Sequence, residues 1–323
     1  MAAIGANAYA QLTLVEVAKR HDPSGQMAAI AEVVNEENEI LQDAVWVEAN
    51  DTFANKTVRR SNLPNGTWRK LNAGVVNEVS MTTEVWDTIG ILETFSQNDV
   101  EVIKAFNNPA QARMDEARAF IEGLGQTMAE AMIYSNSSTT PEKFTGIAPR
   151  LSNIAATENC INEGGTTGTS IYVVDWGPGK VQMMYPKNST AGLMHEDLGK
   201  QLIQDGSANN LMAYVDHFQW KAGMAVKNMK SIGRIANIEP TGSANIFDED
   251  NLITLLNRMT QGPGRRIYVD QVVKTQMEIA QKDKANAYYT LADNPLAPGP
   301  VLMFKGVPVR QVDQIITSET TLT

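Results

Sequence analysis

The sequence predicts an α+β fold, on three observations. Apolar residues recur over residues 108–134 at alternating four- and three-residue steps, which is typical of a long helix with one buried face. Residues 44–95 are rich in strand-forming side chains and contain Asn65–Gly66, a pair that favours the turn of a long β-hairpin. Residues 170–240 predict successive strands, and the residues after them alternate between helix and strand patterns.

The composition narrows the class of protein. The 323 residues are 43% hydrophobic and 20% charged, which is typical of a globular protein with a sizeable core. No apolar run is long enough to span a bilayer, and the first residues lack the pattern of a secretory signal, so we expect no membrane partner. The single cysteine, Cys160, excludes a disulfide within the chain and suits a reducing cytoplasm. The formal net charge of -10 predicts only local, non-specific contact with nucleic acid.

The N-terminal residues predict two short helices in an acidic region. Thr13 and Glu16 have the spacing of a capping box, and this first helix is expected to end before Pro23. A second helix is expected over residues 27–41, with apolar residues on one side and glutamates on the other.

The predicted hairpin carries a basic cluster on an otherwise acidic chain. Leu63 to Gly66 predict the turn, and strand residues resume at Thr67–Trp68. A tryptophan on a free loop would expose a large apolar ring to water without any stabilising contact. An isolated hairpin of this length is only marginally stable. We therefore expect something outside the hairpin, with negative charge, to hold it. The cations of the cluster are Arg59, Arg60, Arg69 and Lys70.

The long helix has a capped start and a narrow apolar stripe. Asn108 is an N-cap candidate, and Pro109 suits the first helical position. Gly123 and Gly125 each cost about 1 kcal/mol relative to alanine, which indicates the close approach of a neighbour or a bend. The residues expected to pack along the stripe are Met114, Ala117, Ile121, Leu124 and Met128.

No catalytic, cofactor-binding or metal site is predicted. His195 precedes two carboxylates, but no second histidine or cysteine lies at ligand spacing. Cys160 has no base near it in sequence, which favours a plain loop cysteine over a nucleophile. The segments Gly177–Lys180 and Gly164–Ser170 lack the residues of a phosphate-binding loop. We therefore expect no enzyme activity, cofactor or metal. The other histidines, His21 and His217, lie in a turn and a strand pattern.

The order of these parts, together with several sequence phrases, resembles the major capsid proteins of tailed bacteriophages, which have the Johnson or Hong-Kong-97-type fold. The resemblance covers nearly the whole chain. The phrases that carry it are "EVVNEENEILQDAVWVE", "LPNGTWRKLNAGV", "ARAFIEGLGQTMAEAMIYSN" followed by "FTGIAPRL", "IYVVDWGPGKVQMMYPKNSTAGL" and "MFKGVPVRQVDQI".

The resemblance implies a division of the chain into named parts. Residues 1–45 would be an N-terminal arm, and residues 46–85 the extended hairpin called the E-loop. Residues 86–240 would be the peripheral P-domain, whose spine helix spans about 108–134. Residues 241–323 would be mainly the axial A-domain, with a boundary near Pro240.

The implied function is structural: self-assembly into pentamers and hexamers that form the icosahedral head around the double-stranded DNA genome. Weak contacts repeated by symmetry would hold this shell together. The hairpin would lie on a neighbouring subunit, and it contributes the expected intersubunit residues. These are Arg59, Arg60, Asn65, Gly66, Trp68, Arg69 and Lys70.

The resemblance also implies partners and a place in the cell. The main partner would be further copies of the chain, and a portal protein, a separate scaffolding protein and a cement or decoration protein would be additional partners. The protein would belong to the virion capsid after assembly in the cytoplasm of the bacterial host. Some relatives link subunits by a lysine–asparagine isopeptide, and Lys56 and Lys70 lie on the hairpin. We expect no such crosslink, because no partner asparagine or activating acid can be named.

Two alternatives stay open from the sequence. An encapsulin-like nanocompartment shell has the same fold but encloses an enzyme instead of DNA. A monomeric α+β enzyme that binds a carbohydrate or nucleotide is a weaker possibility, and it would elute near its mass of 35.3 kDa.

Overall fold

The computed structural model describes residues 38–106, 108–155, 157–204, 209–242, 244–281, 289–292 and 301–322. Residues 1–37 lie outside this description. They contain the first predicted helix, most of the second, and most of the N-terminal arm expected over residues 1–45. The chain forms two compact units. The smaller unit contains residues 91–128 and 192–221. The larger unit contains residues 38–90, 129–191 and the residues from 222 onward.

Strands outnumber helices in the described residues, in agreement with the predicted α+β class. The helices are α1 (Ile40–Asp43), α2 (Val100–Lys104), α3 (Pro109–Tyr134), α4 (Glu249–Arg258) and α5 (Gln271–Gln281). The strands are β1 (Trp46–Glu48), β2 (Ala54–Asn62), β3 (Met81–Asp99), β4 (Cys160–Asn162), β5 (Thr167–Asp175), β6 (Val181–Tyr185), β7 (Leu193–Gln204), β8 (Asn210–Val226), β9 (Ile232–Ile238), β10 (Arg265–Val269), β11 (Tyr289–Ala292), β12 (Val301–Phe304), β13 (Val307–Gln311) and β14 (Glu319–Thr320). None of the helices in this part of the chain is long and apolar enough to cross a membrane.

A mixed sheet forms the body of the larger unit. Its strands are hydrogen-bonded in the order β11-β12-β13-β10-β5-β9-β4, and β14 pairs with β5. β10 runs parallel to β13, and β4 runs parallel to β9, while the other pairs are antiparallel. Every residue of β9 is buried, as expected of a central strand covered on both faces.

Helices α4 and α5 pack on this sheet and close the main core. Leu252 and Leu255 of α4 and Val273 of α5 are fully buried, because their spacing puts them on one face of each helix. They join the inward side chains of the strands. The core cluster also includes Ile171, Val173, Ile235, Ile238, Ile267, Val269, Phe304 and Val309.

The sheet crosses the boundary that the sequence placed near Pro240. β5 and β9 precede residue 240, and β10 follows it, yet β5 pairs with both β9 and β10. Residue 240 therefore lies inside the larger unit. Hydrophobic periodicity identifies strands but not their partners, so the division into a P-domain over residues 86–240 and mainly an A-domain over residues 241–323 stays a prediction.

The second sheet has the strand order β1-β6-β8-β3-β2, and β7 pairs with β8. β1 is parallel to β6, and β6 is antiparallel to the end of β8. A small cluster of Ala49, Ile89, Met184 and Ala225 fills the space between them. This arrangement holds the base of the β2/β3 hairpin.

Helix α3 begins as the sequence predicts. The side chain of Asn108 accepts a hydrogen bond from the Gln111 backbone N–H at 3.3 Å, and Pro109 is the first helical residue. Its apolar stripe is only partly covered. Leu124 and Met128 are buried and Ala117 is half-buried, but Met114 is 55% exposed and Ile121 is 45% exposed. The expected packing of these last two residues is not made within the described chain.

One arginine joins α3 to the β7/β8 ribbon in the smaller unit. Asp197 and Asp216 are directly opposite each other on the two strands, which alone is unfavourable for two like charges. The guanidinium of Arg113 lies 2.8 Å from Asp197 and 3.0 Å from Asp216. This arginine offsets the repulsion, and its hydrogen bond holds the pKa of Asp197 below its usual value.

A buried ion pair attaches the C-terminal strand β14 to the larger unit. Arg234 Nη2 lies 2.7 Å from Glu319 Oε2, and both side chains are almost fully buried. The same carboxylate accepts hydrogen bonds from Tyr134, Tyr172 and Ser170. Burial raises the pKa of both tyrosines, so they remain neutral donors to Glu319.

We expect Glu319→Ala to lower the free energy of unfolding by about 3–5 kcal/mol, because it leaves Arg234 buried without its counter-charge. Urea denaturation checks this. Glu142→Ala, which removes an exposed carboxylate of the same unit, is the control and should have little effect. A loss no greater than that of the control would contradict the assignment.

Glu163 provides a pH-dependent test of the same unit. Burial raises its pKa to about 7, the hydrogen bond from Asn251 opposes this rise, and Asp248 adds to it. Because folding raises the pKa of this carboxyl, its ionisation costs more free energy in the folded protein than in the unfolded chain. The protein therefore loses stability as the pH rises from the pKa of Glu163 in the unfolded chain to its folded pKa of about 7.

Glu163→Gln should therefore raise stability relative to the unmodified protein more at pH 8 than at pH 5. Urea midpoints at the two pH values measure the difference. Equal shifts at both pH values would show that Glu163 titrates normally in the folded chain.

Candidate subunit interface

The candidate site is a projecting hairpin made of β2 and the first part of β3. Its strands pair in register from Ala54 opposite Thr88 to Asn62 opposite Met81, with an irregularity near Arg60. β-branched residues such as Thr57, Val58 and Val85 favour this extended backbone. Residues 63–80 connect the two strands and are all exposed, and we call them the tip.

The tip neither forms the predicted turn at Leu63–Gly66 nor continues as a strand. Its hydrogen-bonded turn lies at Lys70–Ala73, where the Ala73 N–H donates to the Lys70 carbonyl at 3.2 Å and Asn72 has a φ of 65°. Gly66 has a φ of 69°, which suits the Asn-Gly pair, and the backbone N–H groups of Asn65 and Gly66 donate to Glu78 at 2.6 and 3.2 Å. Strand pairing resumes at Met81, whereas the sequence placed it at Thr67. The carboxylate of Glu78 satisfies backbone donors that a tight two-residue hairpin would pair across the strands.

The tip exposes an unusual amount of apolar surface. Trp68 is 105% exposed relative to its reference state and Leu71 is 92% exposed, so the described chain covers neither. Monomeric proteins rarely leave such a group of large apolar side chains uncovered, so the tip is the candidate interaction surface. Other exposed apolar residues of the tip and its flank are Leu63, Val75, Val76, Val79 and Met81.

The four predicted cations are divided between two environments. Arg69 and Lys70 lie on the exposed tip beside Trp68, and Arg60 is exposed on β2. Arg59 points the other way: its guanidinium donates to the backbone carbonyl of Val226 in the same chain. Burial lowers the pKa of Arg59. Of the four, Arg59 therefore serves the fold of its own chain.

An ion pair fixes the hairpin at its base. Asp87 of β3 is buried, and its carboxylate lies 2.8 Å from Arg150 Nη2. Arg150 also donates to the backbone carbonyls of Thr145 and Met224 at 3.1 Å. Together with Arg59, this arginine ties the base of the hairpin to the segment after α3 and to β8.

The outer edge of β2 is occupied by a side chain. The amide of Asn50 donates to the carbonyl of Lys56 at 2.8 Å and accepts from its N–H at 2.9 Å, as a neighbouring strand would. Lys56 also pairs with Glu84 at 2.7 Å and lies over the ring of Trp86 at 5.4 Å. These contacts stiffen the stem and leave the tip as the uncovered part.

The other candidate residues form no reactive site. His195 contacts Asp216, which Arg113 already holds, and the described residues contain no group of three or more His, Cys, Asp or Glu placed to hold a metal. Cys160 is buried, its thiol donates to the Leu151 carbonyl at 3.6 Å, and burial raises its pKa, which disfavours the reactive thiolate. His217 stacks on Phe95, and His21 lies outside the described residues.

Sequence reasoning missed two parts of this site. Asp87 and Arg150 are far apart in the chain, and no local pattern connects them. The sequence pattern predicted a strand over Val75, Val76 and Val79, whereas these residues belong to the exposed tip. Their position after a basic turn was the signal in the sequence that could have indicated exposure.

Comparison with known proteins identifies the family of the chain. The family model for major capsid protein GP7 matches residues 22–323. A chain of the bacteriophage Epsilon15 structure is 25% identical, with a TM-score of 0.76 and coverage of 98% of both chains. The capsid of bacteriophage JBD30 gives a TM-score of 0.52 at 10% identity, covering 88% of this chain and 92% of that one.

Two further comparisons add no functional argument. The SrpI encapsulin of Synechococcus elongatus PCC 7942 gives a TM-score of 0.44 at 10% identity, covering 65% of this chain and 92% of that one. A likeness this weak carries no argument for or against the encapsulin alternative. None of the curated proteins matches the chain in sequence.

The match over residues 22–323 confirms the resemblance found in the sequence and assigns a structural, not an enzymatic, role. The chain belongs to the major capsid protein GP7 family and is a major capsid protein of a bacteriophage.

Proposed function

We propose that copies of this chain form the pentamers and hexamers of an icosahedral phage head, and that the hairpin tip is a contact between copies. The observation that carries the proposal is the tip itself, where Trp68 and Leu71 have no cover within the described chain. In the terms of the resemblance, this hairpin is the E-loop, and α3 is the spine helix of a P-domain.

Typical free energies indicate that burial of apolar side chains, more than ion pairing, would stabilise the contact made by the tip. Full burial of one large apolar side chain contributes about 1.5–3 kcal/mol. An exposed ion pair contributes only about 0–1 kcal/mol, so Arg69 and Lys70 add less than Trp68 and Leu71. Their main effect is on specificity, since the rest of this acidic chain supplies carboxylates that attract them.

Each contact of this kind is modest, and the shell multiplies it. A subunit that carries one tip and receives another is held by at least two contacts, and closure of the shell makes the sum effectively multivalent. Modest single contacts also allow a misplaced subunit to dissociate before closure.

A shell that encloses a genome needs partner proteins besides further copies of this chain. We infer a portal protein, a separate scaffolding protein and a cement or decoration protein as the additional partners that the resemblance implies. Contact with packaged DNA is local and non-specific because the net charge of -10 repels phosphate. Assembly in the bacterial cytoplasm is supported by the single, buried Cys160, which needs no oxidising compartment.

Reversal of the two tip charges tests the electrostatic part. Arg69→Glu with Lys70→Glu should leave a folded, soluble subunit but reduce shell formation, because the new carboxylates meet an acidic neighbour. Lys143→Glu with Lys230→Glu changes the net charge equally at exposed positions outside the tip and should form normal shells. Negative-stain electron microscopy and sedimentation compare the two. Normal shells from the tip variant would remove the electrostatic role.

Removal of the tryptophan tests the apolar part. Trp68→Ala should leave the melting temperature of the free subunit unchanged, because no described residue of its own chain covers the ring, and should lower the yield of shells severalfold. Calorimetry and sedimentation measure the two effects. Unchanged shell yield would contradict the proposed contact, whereas a lower melting temperature would show that the ring supports its own fold.

A further inference from the structure

A polar pocket of about 270 Å³ lies in the larger unit, where the end of α4 meets the turn between β12 and β13. Sites for drug-sized ligands are commonly about 300–1,000 Å³, so this pocket suits a small ion or a single chemical group. Two of its described lining residues are cations and none of them is an acid. The lining residues are Leu256, Asn257, Gln261, Gly262, Arg265, Lys305, Gly306 and Val307.

Arg265 places a buried positive charge at the pocket. The residue is only 9% exposed, and no carboxylate of the described chain lies within ion-pair distance of it. Its Nε donates to the Thr260 carbonyl at 2.8 Å, and its Nη2 donates to the Met259 carbonyl at 2.9 Å. These bonds hold the guanidinium against the end of α4. Its Nη1 has no hydrogen-bond partner among the described residues.

The acid that acts on Arg265 from a longer distance is already paired. Burial lowers the pKa of Arg265, and the charge of Asp175 opposes this shift. The Asp175 carboxylate forms an ion pair with Lys180. Gly262 lines the pocket and packs against this pair, since an added Cβ would clash with the Lys180 ammonium. Arg265 and Lys305 are therefore left without a paired carboxylate in the described chain.

A tight turn positions the second cation of the pocket. Lys305 and Gly306 have φ values of 51° and 78°, and they form the two-residue loop between β12 and β13. Lys305 Nζ donates to Asn257 Oδ1 at 3.0 Å, which ties the loop to the last turn of α4. A lysine ammonium has three donors, so this exposed side chain keeps donors for a ligand.

We propose that this pocket binds a phosphate group, with Arg265 Nη1 and Lys305 Nζ as its charged donors and the amides of Asn257 and Gln261 beside them. A tetrahedral phosphate offers acceptor oxygens in several directions, which suits donors placed around a pocket. A carboxylate fits less well, because Arg265 has already used its Nε edge and cannot form the usual two-point pair there. The inference goes beyond the proposed hairpin contact and does not depend on it.

Calorimetric titration of the free subunit with inorganic phosphate tests the pocket. Lys305→Met removes a cation, and Asn257→Asp puts a carboxylate beside Lys305, so each should weaken phosphate binding at least tenfold. Both residues are exposed, so the fold should tolerate these changes. Lys143→Met and Gln271→Glu make the matching charge changes at exposed positions that do not line the pocket, and both should bind phosphate normally.

The absence of phosphate binding to the unmodified subunit would overturn the proposal. Equal binding by the unmodified subunit and all four variants would overturn it as well, because the phosphate would then lie outside the pocket.

Two competitors identify the ligand more closely. Acetate should displace phosphate only at far higher concentration, and equally effective displacement would overturn the choice of phosphate over carboxylate. Two sources carry the phosphate group, the free ion and the DNA backbone. A short DNA duplex that displaces phosphate, and whose own binding weakens in Lys305→Met and Asn257→Asp, identifies the backbone as the source. A duplex that leaves phosphate bound identifies the free ion.

Discussion

The structure depends on how a projecting hairpin is held at one end only. Asp87 and Arg150 form a buried ion pair at its base, and Arg59 and Arg150 donate to backbone carbonyls of β8. Removing either member of such a pair leaves a buried charge, so the direction of the hairpin is set inside its own chain. Nothing in the described chain covers Trp68, so the fixed base of the hairpin holds an uncovered apolar tip in reach of other molecules.

The same logic applies to the smaller unit. Arg113 fixes the β7/β8 ribbon to α3 through two opposed carboxylates. Part of the apolar face of α3, at Met114 and Ile121, is uncovered in the described chain. A single chain therefore carries apolar surface on a strand-built projection and on a helix. Such surface is a liability for a monomer, but it is the expected state of a subunit whose partners are its own copies.

Local patterns in the sequence predicted the elements well, and pairings over long distances poorly. The capped start of α3 at Asn108 and the α+β class follow from residues close together in the chain, whereas the turn expected at Asn65–Gly66 lies instead at Lys70–Ala73. The partner of Asp87, the sheet that joins β5 to both β9 and β10, and the role of Glu319 required the folded structure. At the tip, the sequence drew attention to the cluster of positive charges. In the structure, Trp68, Leu71 and the nearby valines are the exposed large apolar residues of the tip.

The central claim is that the tip is uncovered in the free subunit and covered by another copy in the shell. Hydrogen–deuterium exchange over residues 63–80 measures this directly, because these residues make few backbone hydrogen bonds of their own. The account predicts fast exchange in free subunits and strong protection in assembled particles. Equally fast exchange in both states, in particles shown to be intact, would contradict it.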